Sequence, residues 1–191
     1  MNEDLFINDA EKAVKVLQEG GIILYPTDTI WGIGCDATNA EAIEKIIALK
    51  QRPQHKSFVV LVASEKDILQ YTASPDLAVF DYLQTVKKPT TVIYEHALGL
   101  AENVCGNDGS IAIRICNDEF CRYILKRFRK PIVSTSANIS GEPSPANFSA
   151  ISNLIKQGVD YIVQYKQQNN NINAPSSIIR WHKGKPEILR S

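Results

Sequence analysis

The sequence predicts an α+β protein in which a mixed β-sheet carries helices on its faces. Short apolar runs bounded by Gly or Pro are interspersed with longer segments whose apolar residues recur at helical spacing. Strands and helices do not alternate strictly, which favours a mixed sheet over a purely parallel one. The composition, with 44% hydrophobic and 22% charged residues in 191, is that of an ordinary globular chain.

Five segments are predicted to be helical. In the first, Ala10, Ala13, Val14 and Leu17 share one face, and the glycine pair that starts at Gly20 ends it. In the second, an asparagine at position 39 suits an N-cap and a proline at 53 stops the helix. The predicted helices cover residues 9–19, 39–49, 75–83, 118–129 and 148–157.

Eight short apolar segments are predicted to be strands. The clearest alternation is in 110–115, where three isoleucines face one way while Ala112 and Arg114 face the other. Two polar stretches, 134–144 and 167–173, are expected to be loops, the second of them mobile. The predicted strands are 22–25, 58–62, 90–94, 110–115, 131–133, 161–163, 177–179 and 187–189.

Length and charge narrow the class of protein. A chain of this length, without a linker-like segment, predicts one domain over residues 1–191. Lys plus Arg and Asp plus Glu both number 21, so no global basic excess indicates nucleic-acid binding. No apolar stretch is long enough to span a bilayer, and the N-terminus is acidic and lacks a signal-like apolar region. We therefore expect a cytoplasmic protein without membrane contact, whose four cysteines, none spaced CxxC, are reduced.

Four segments place polar or charged groups where predicted strands or helices meet loops. The segment 25–34 could offer backbone N–H groups to a ligand, although taken alone it is better explained as a tight turn. The segment 50–56 holds three cations, which suit either a solvated helix end or an anion clamp for a polyphosphate. The segment 134–144 is dense in short hydroxyl and amide side chains. The fourth is 175–180 together with 188–190, where Arg190 is either a frayed terminal charge or a ligand contact.

Several common catalytic motifs are missing. The sequence has no GxxxxGK[ST] phosphate loop, and the pair Gly32 and Gly34 lacks the third glycine of a dinucleotide-binding fingerprint. Serine catalysis has little support, because there is no GxSxG and no histidine has an evident nucleophile partner. The histidines at 55, 96 and 182 are better explained as surface or packing residues.

Together, the four segments resemble the YrdC/TsaC family of threonylcarbamoyl-AMP synthases over roughly the whole chain. The resemblance rests on the opening strand and loop at 25–34, on a K-x-R element at 50–52, and on an S-x-N element at 136–138 within the longer match 134–144. It implies the short single-domain form, a YrdC-like three-layer fold with a twisted mixed sheet, and a concave ligand cleft.

The resemblance also implies a reaction. L-Threonine, bicarbonate or CO2, and ATP would give threonylcarbamoyl-AMP and pyrophosphate, with Mg2+ carried on the ATP phosphates. Other proteins would then transfer the threonylcarbamoyl group to adenosine 37 of tRNA. No covalent protein nucleophile is needed, so positioning and charge neutralisation should dominate catalysis.

Site residues follow from the family's motif positions. The residues expected to carry catalysis are Lys50, Arg52, Ser136 and Asn138. Those expected to contact ATP are Arg52, Lys56, Thr91, Ser136, Asn138, Ser144 and Arg190. The threonine contacts are expected to be Thr29, Arg114 and Ser134, and no protein-held metal is expected.

The sequence departs from the family's usual pattern at a few positions. Lys87 and Lys88 stand where Pro-Gly is usual before the Thr91 strand, which puts the shape of that loop in doubt. Trp31 replaces the usual tyrosine, Cys116 replaces a proline after the Arg114 strand, and Lys56 stands where Asn or an acidic residue is common.

Three other functions compete with synthase activity. One is a YciO-like protein of the same fold with weak activity, which the intact K-x-R and S-x-N elements disfavour. Another is a module that binds tRNA or double-stranded RNA through a concave basic surface, although a solvated helix face explains the same cations. The cations considered for that surface are Lys87, Lys88, Arg122, Lys126, Arg127, Arg129 and Lys130. The third is a carbamoyl-transfer accessory domain like those of hydrogenase maturation proteins, which carry further domains that this chain lacks.

Overall fold

The computed structural model describes residues 3–53, 56–169 and 174–191. Within these ranges, nine strands form one mixed sheet in the order β7-β1-β2-β6-β3-β5-β4-β8-β9. The strands are β1 Ile23–Tyr25, β2 Gly32–Gly34, β3 Val59–Val62, β4 Thr90–Tyr94, β5 Ile111–Ile115, β6 Ile132–Ser136, β7 Tyr161–Ile162, β8 Ser177–His182 and β9 Lys185–Arg190. The helices are α1 Glu3–Gln18, α2 Ala40–Lys50, α3 Glu65–Tyr71, α4 Ala78–Thr85, α5 Glu119–Phe128 and α6 Asn153–Gln157.

The sheet mixes parallel and antiparallel pairs, as predicted. The pairs β1/β7, β3/β5 and β4/β8 are parallel, and the remaining neighbours are antiparallel. At the centre, Leu61 of β3 lies opposite Arg114 of β5, and Val59 lies opposite Ser134 of β6. This register brings a cation and a hydroxyl from two predicted site segments to the middle of the sheet.

Hydrophobic clusters cover both faces of the sheet, which gives three layers. One cluster joins α2 and α4 to strand residues such as Leu24, Val60 and Ile113. The other joins α1 and α5 to alternate residues, among them Tyr25 and Leu61. Side chains alternate along a strand, so the buried strands are apolar on both faces.

Helix α2 shows how local sequence sets the bounds of a helix. The Asn39 side chain accepts a hydrogen bond from the Ala42 N–H at 3.1 Å, which confirms the predicted cap. The helix ends at Gln51, whose left-handed φ of 51° lets its N–H bond back to the last turn. The chain therefore leaves the helix before Pro53 and turns Arg52 away from the helix axis.

Most of the predicted elements are present, and the differences have physical causes. Residues 32–34 form strand β2 rather than part of a loop, because a glycine backbone fits the close approach of β6. Strand β6 runs on to Ser136, so the polar loop begins at Ala137 rather than at Ser134.

Helix bounds differ from the predicted ones in three places. Helix α1 begins at Glu3, six residues before the predicted start at 9, and the ring of Phe6 packs edge-on against Phe120. Helix α3 was not predicted, and α4 lies at 78–85 rather than 75–83. The predicted helix 148–157 is a 3-10 turn at 148–150 followed by α6.

The predicted loop 167–173 lies partly outside the described residues. Among the described helices, none combines the length and the apolar character needed to cross a membrane.

Candidate functional site

A cleft of about 270 Å3 gathers residues from all four polar segments that the sequence singled out. Strands β2, β5, β6 and β8 contribute to its walls, and the segment after α2 contributes Arg52. Seven of the predicted site residues border this cleft, and they are Thr29, Arg52, Arg114, Ser134, Ser136, Ser144 and Arg190. The other four predicted site residues, Lys50, Lys56, Thr91 and Asn138, do not border it.

Thr29 is held at the cleft by its own loop. The Thr27 hydroxyl accepts a hydrogen bond from the Thr29 N–H at 3.1 Å, lies 3.0 Å from the Thr29 hydroxyl, and donates to the Ile30 carbonyl at 2.7 Å. Both threonines are buried. The loop is therefore a fixed turn that also presents a hydroxyl to the cleft, so the turn and ligand interpretations are compatible.

Three arginines converge on the cleft, and none of its lining residues is acidic. The Arg52 guanidinium lies 4.5 Å from the Phe58 ring centroid and donates to the Ser57 carbonyl at 2.7 Å. Arg114 is only 4% exposed. Arg190 donates two hydrogen bonds to the Ser176 carbonyl, at 3.1 and 2.8 Å. Burial lowers the pKa of Arg52 and of Arg190, and the charge of Arg114 lowers that of Arg190 further. The lining of the cleft is thus positively charged, and Arg114 is paired with Asp28 outside the lining.

Two guanidinium nitrogens at the cleft are buried without a hydrogen-bond or ion-pair partner among the described residues. They are Nε of Arg52 and Nε of Arg114, whereas Nη2 of Arg114 lies 3.0 Å from a carboxylate oxygen of Asp28. Buried polar groups are normally hydrogen-bonded, and charged donors gain the most from an anionic acceptor. The unsatisfied donors therefore indicate a site that an anion completes.

Lys50 lies beneath the cleft rather than in it. The side chain is 1% exposed, and its ammonium donates to the carbonyls of Ser136 and of Asn138, the latter at 2.5 Å. The Lys50 carbonyl in turn accepts from the Ser140 N–H at 2.8 Å. Burial, with a smaller effect of Arg52, lowers the pKa of Lys50 to about 8. Lys50 is therefore placed to hold the loop 137–144.

Asn138 and Thr91 also support the cleft from outside. The Asn138 amide donates to the carbonyls of Ile139 and Glu142, each at 2.8 Å, which shapes the loop. The fully buried Thr91 hydroxyl lies 2.8 Å from that of Ser176, the residue that holds Arg190. Lys56 is exposed. The predicted direct contacts of these residues with ATP have no counterpart in the lining of the cleft.

Sequence reasoning assigned no ligand contact to Ser57, Phe58 or Ser176, which also border the cleft. Ser57 and Phe58 follow the segment 50–56 directly, and Ser176 belongs to a segment that was singled out only as a whole. Position next to a motif was the available signal for all three residues.

The cations considered for RNA binding border different pockets. Four of them, Arg122, Lys126, Arg129 and Lys130, border a groove of about 650 Å3 that shares no lining residue with the cleft. Lys87 and Lys88 border a different pocket, and Arg127 donates to the Tyr123 hydroxyl at 3.0 Å. Helix α5 and the segment before β4 thus present their cations to different pockets.

Sequence comparison places this site in a known family. The profile of the Sua5/YciO/YrdC family, described as "Telomere recombination", matches residues 15–191. The chain belongs to the Sua5/YciO/YrdC family. The family relative from Psychromonas ingrahamii, named threonylcarbamoyl-AMP synthase, is 30% identical over 182 residues, which cover 93% of this chain and 95% of the relative. A Vibrio campbellii protein of the same name is 37% identical over 136 residues, 70% of this chain and 74% of the relative.

Solved structures of the family share the fold. Sua5 of P. abyssi complexed with L-threonine has a TM-score of 0.83 and 21% identity, over 95% of this chain and 53% of the Sua5 chain. This chain therefore spans about half the length of that Sua5. YciO of E. coli has a TM-score of 0.81 and 20% identity, over 95% of this chain and 88% of YciO. The YrdC-like mixed sheet with flanking helices is thus confirmed.

Proposed function

We propose that this protein is a nucleotidyltransferase that makes threonylcarbamoyl-AMP and pyrophosphate from L-threonine, bicarbonate or CO2, and ATP. The observation that carries the proposal is the group of buried, unsatisfied guanidinium nitrogens of Arg52 and Arg114 at a cleft without acidic lining residues. Both substrates of the final step, a carbamate and a triphosphate, are anions. The names of the relatives from Psychromonas and Vibrio support the same reaction.

The cleft suits two substrates placed side by side. At one end, Thr29, Arg114 and Ser134 would bind threonine, with the guanidinium on its carboxylate. At the other end, the nucleotide would be bound by Arg52, Ser136, Ser144 and Arg190. Lys50, Asn138 and Thr91 would act on ATP through the loop and strands that they hold. Lys56, exposed beside this end, would add positive potential.

The chemistry requires positioning more than a protein nucleophile. The threonine amine loses a proton and attacks CO2, forming the N–C bond of a carbamate. A carbamate oxygen then attacks the α-phosphorus, the bond from that phosphorus to the bridging oxygen breaks, and pyrophosphate leaves. Arginines fixed at the cleft would offset the charge of both anions in the transition state. We treat Mg2+ as part of the substrate, carried on the ATP phosphates, because no carboxylate borders the cleft among the described residues.

Pyrophosphate release tests this proposal. The purified protein is incubated with ATP, Mg2+, bicarbonate and L-threonine, and separate controls omit threonine, omit bicarbonate or substitute serine. We expect release that requires both threonine and bicarbonate. Release that is independent of threonine, or no release while ATP still binds, would contradict the proposal and favour a YciO-like protein.

The product would serve tRNA modification in the cytoplasm. Partner proteins would transfer the threonylcarbamoyl group to adenosine 37, and the basic groove along α5 is a candidate surface for direct tRNA or double-stranded RNA contact. RNA binding that weakens steeply with salt and with Lys126→Glu, but not with Arg52→Ala, would support this contact.

A further inference from the structure

Asp28 is a partly buried acid beside the cleft that none of the expected site roles includes. Its carboxylate lies 3.0 Å from Nη2 of Arg114, with only 9% of the Asp28 side chain and 5% of the Arg114 side chain exposed. The second carboxylate oxygen accepts a hydrogen bond from the Asn117 N–H at 3.3 Å. The acid is thereby fixed between the loop 26–31 and the segment that follows β5.

The two partners lie on different sides of that loop. Arg114 borders the cleft, whereas Asp28 borders a separate pocket of about 240 Å3 and is not among the residues that line the cleft. The Nη2–Oδ1 contact is an ion pair without hydrogen-bond geometry, since both atoms remain without a hydrogen-bond partner among the described residues. Asp28 thus holds the guanidinium from outside the cleft by charge, while Nε of Arg114 remains without a hydrogen-bond partner among the described residues.

The buried charge of Arg114 requires an acidic partner. Arg114 lies near Arg190, and the charge of Arg114 lowers the pKa of Arg190. Two like charges at one cleft repel each other, and a buried charge without a counter-ion is strongly destabilising. A carboxylate behind Arg114 balances its charge in the absence of substrate.

We infer that Asp28 is the positioning residue for Arg114, and that it sets the affinity of the cleft for the threonine carboxylate without touching the substrate. This inference rests on the proposed function. It differs from the roles assigned to Thr29 and Ser134, which would contact threonine directly.

The test compares Asp28→Asn with the wild type by threonine titration calorimetry and by the KM values for threonine and ATP. The variant keeps the shape and the acceptor for Asn117 but removes the charge. We expect the KM and the Kd for threonine to rise about 10-fold or more, while the KM for ATP changes little. Asp28→Glu, which restores the charge, is expected to recover part of the affinity.

A matched control and a double variant keep the test decisive. The control is Asp36→Asn, which removes the charge of a different acid. Asp36 is buried and pairs with the Lys130 ammonium at 2.6 Å, and its loss should leave the KM for threonine unchanged. In an Arg114→Met background, Asp28→Asn should cause no further loss of threonine affinity. Full additivity in the double variant, or an active Asp28→Asn protein with wild-type threonine KM, would overturn the inference. A wild type that releases no pyrophosphate would instead contradict the proposed function.

Discussion

Arg52 and Lys50 are two residues apart, yet they have different roles. Arg52 leaves the end of α2 and reaches the cleft, with a buried Nε that lacks a hydrogen-bond partner among the described residues. Lys50 turns inward and donates to two loop carbonyls. The left-handed Gln51 between them produces this divergence. One cation of the K-x-R element therefore borders the cleft, and the other links the end of α2 to the S-x-N loop.

We predict that Arg52→Ala weakens ATP binding by about 2–5 kcal/mol, because a buried phosphate contact is lost. The melting temperature should change little, since the Arg52 side chain makes only one hydrogen bond, to Ser57, in the described structure. Titration calorimetry with ATP and thermal unfolding measure the two effects. Wild-type ATP affinity in the variant would contradict the anion site.

We predict that ATP affinity falls as the pH rises through about 8, because the buried ammonium of Lys50, whose pKa is lowered to about 8, loses its charge there. The stability effect has the opposite sign. Between about 8 and the ordinary value of 10.5, the unfolded chain holds the proton and the folded chain does not, so the contribution of Lys50 to the unfolding free energy rises with pH.

Lys50→Met should remove this pH dependence from the ATP dissociation constant, measured by calorimetry from pH 7 to 9. Lys45→Met on the same helix is the control, because Lys45 is exposed and donates only to the Gly20 carbonyl. The same slope in wild type and Lys50→Met would show that Lys50 does not cause the dependence.

At the scale of elements, strand β2 is the strand that the sequence patterns did not predict. The segment 25–34 was expected to be a tight turn or a loop that offers N–H groups to a ligand, but Gly32 and Gly34 lie in a strand between β1 and β6. A Cβ at Gly34 would lie 2.6 Å from the Val133 carbonyl oxygen and 2.7 Å from Cε1 of Tyr25. A Cβ at Gly32 would meet the Ser134 hydroxyl at 3.2 Å, beside the cleft.

We predict that Gly34→Ala destabilises the fold by at least about 1–3 kcal/mol, because backbone atoms must move to accept the methyl group. Gly32→Ala should cost less stability but reduce pyrophosphate release, because its methyl group enters the cleft. Urea unfolding and the pyrophosphate assay separate the two variants. Equal loss of stability in both would contradict this distinction.

The core strands and helices were predictable because their signals are local. The apolar faces of α2 and α5, the Asn39 cap and the alternation in β5 all depend on neighbours in the sequence. The early start of α1 was not predicted, because packing rather than periodicity decides it. The ring of Phe6, for example, is fixed by contacts with Phe120 and Tyr165 on distant segments. Helix α3 has a local signal, the capping box of Ser64 and Asp67, but its seven residues are too few for a clear helical period.

At the scale of the whole molecule, the cleft is assembled from distant parts of the chain. Motif positions identified seven lining residues, but not which residues would support the cleft from outside. Lys50 and Thr91 act through bonds to residues 86 and 85 positions away, respectively, which no local pattern encodes. The β8–β9 hairpin brings Arg190 from the far end of the chain to Ser176.

We predict that Arg190→Ala lowers ATP affinity, because it removes one of the three cleft arginines. The matched control is Arg180→Ala, which changes an exposed arginine of the same hairpin that does not border the cleft. Calorimetry with ATP should show at least about a tenfold loss for the first variant and almost none for the second. An equal loss of ATP affinity in both variants would contradict a specific role of Arg190, because it would indicate a general effect of the hairpin or of net charge.

The most direct test of the central claim traces the carbon atom of bicarbonate into the nucleotide product. The protein is incubated with ATP, Mg2+, L-threonine and 13C-labelled bicarbonate, and the nucleotides are analysed by mass spectrometry. We expect a labelled adenylate that contains threonine, one carbamoyl carbon and AMP, formed together with pyrophosphate and strongly reduced in Arg52→Ala. AMP without the label, or a labelled product that needs no threonine, would contradict the account.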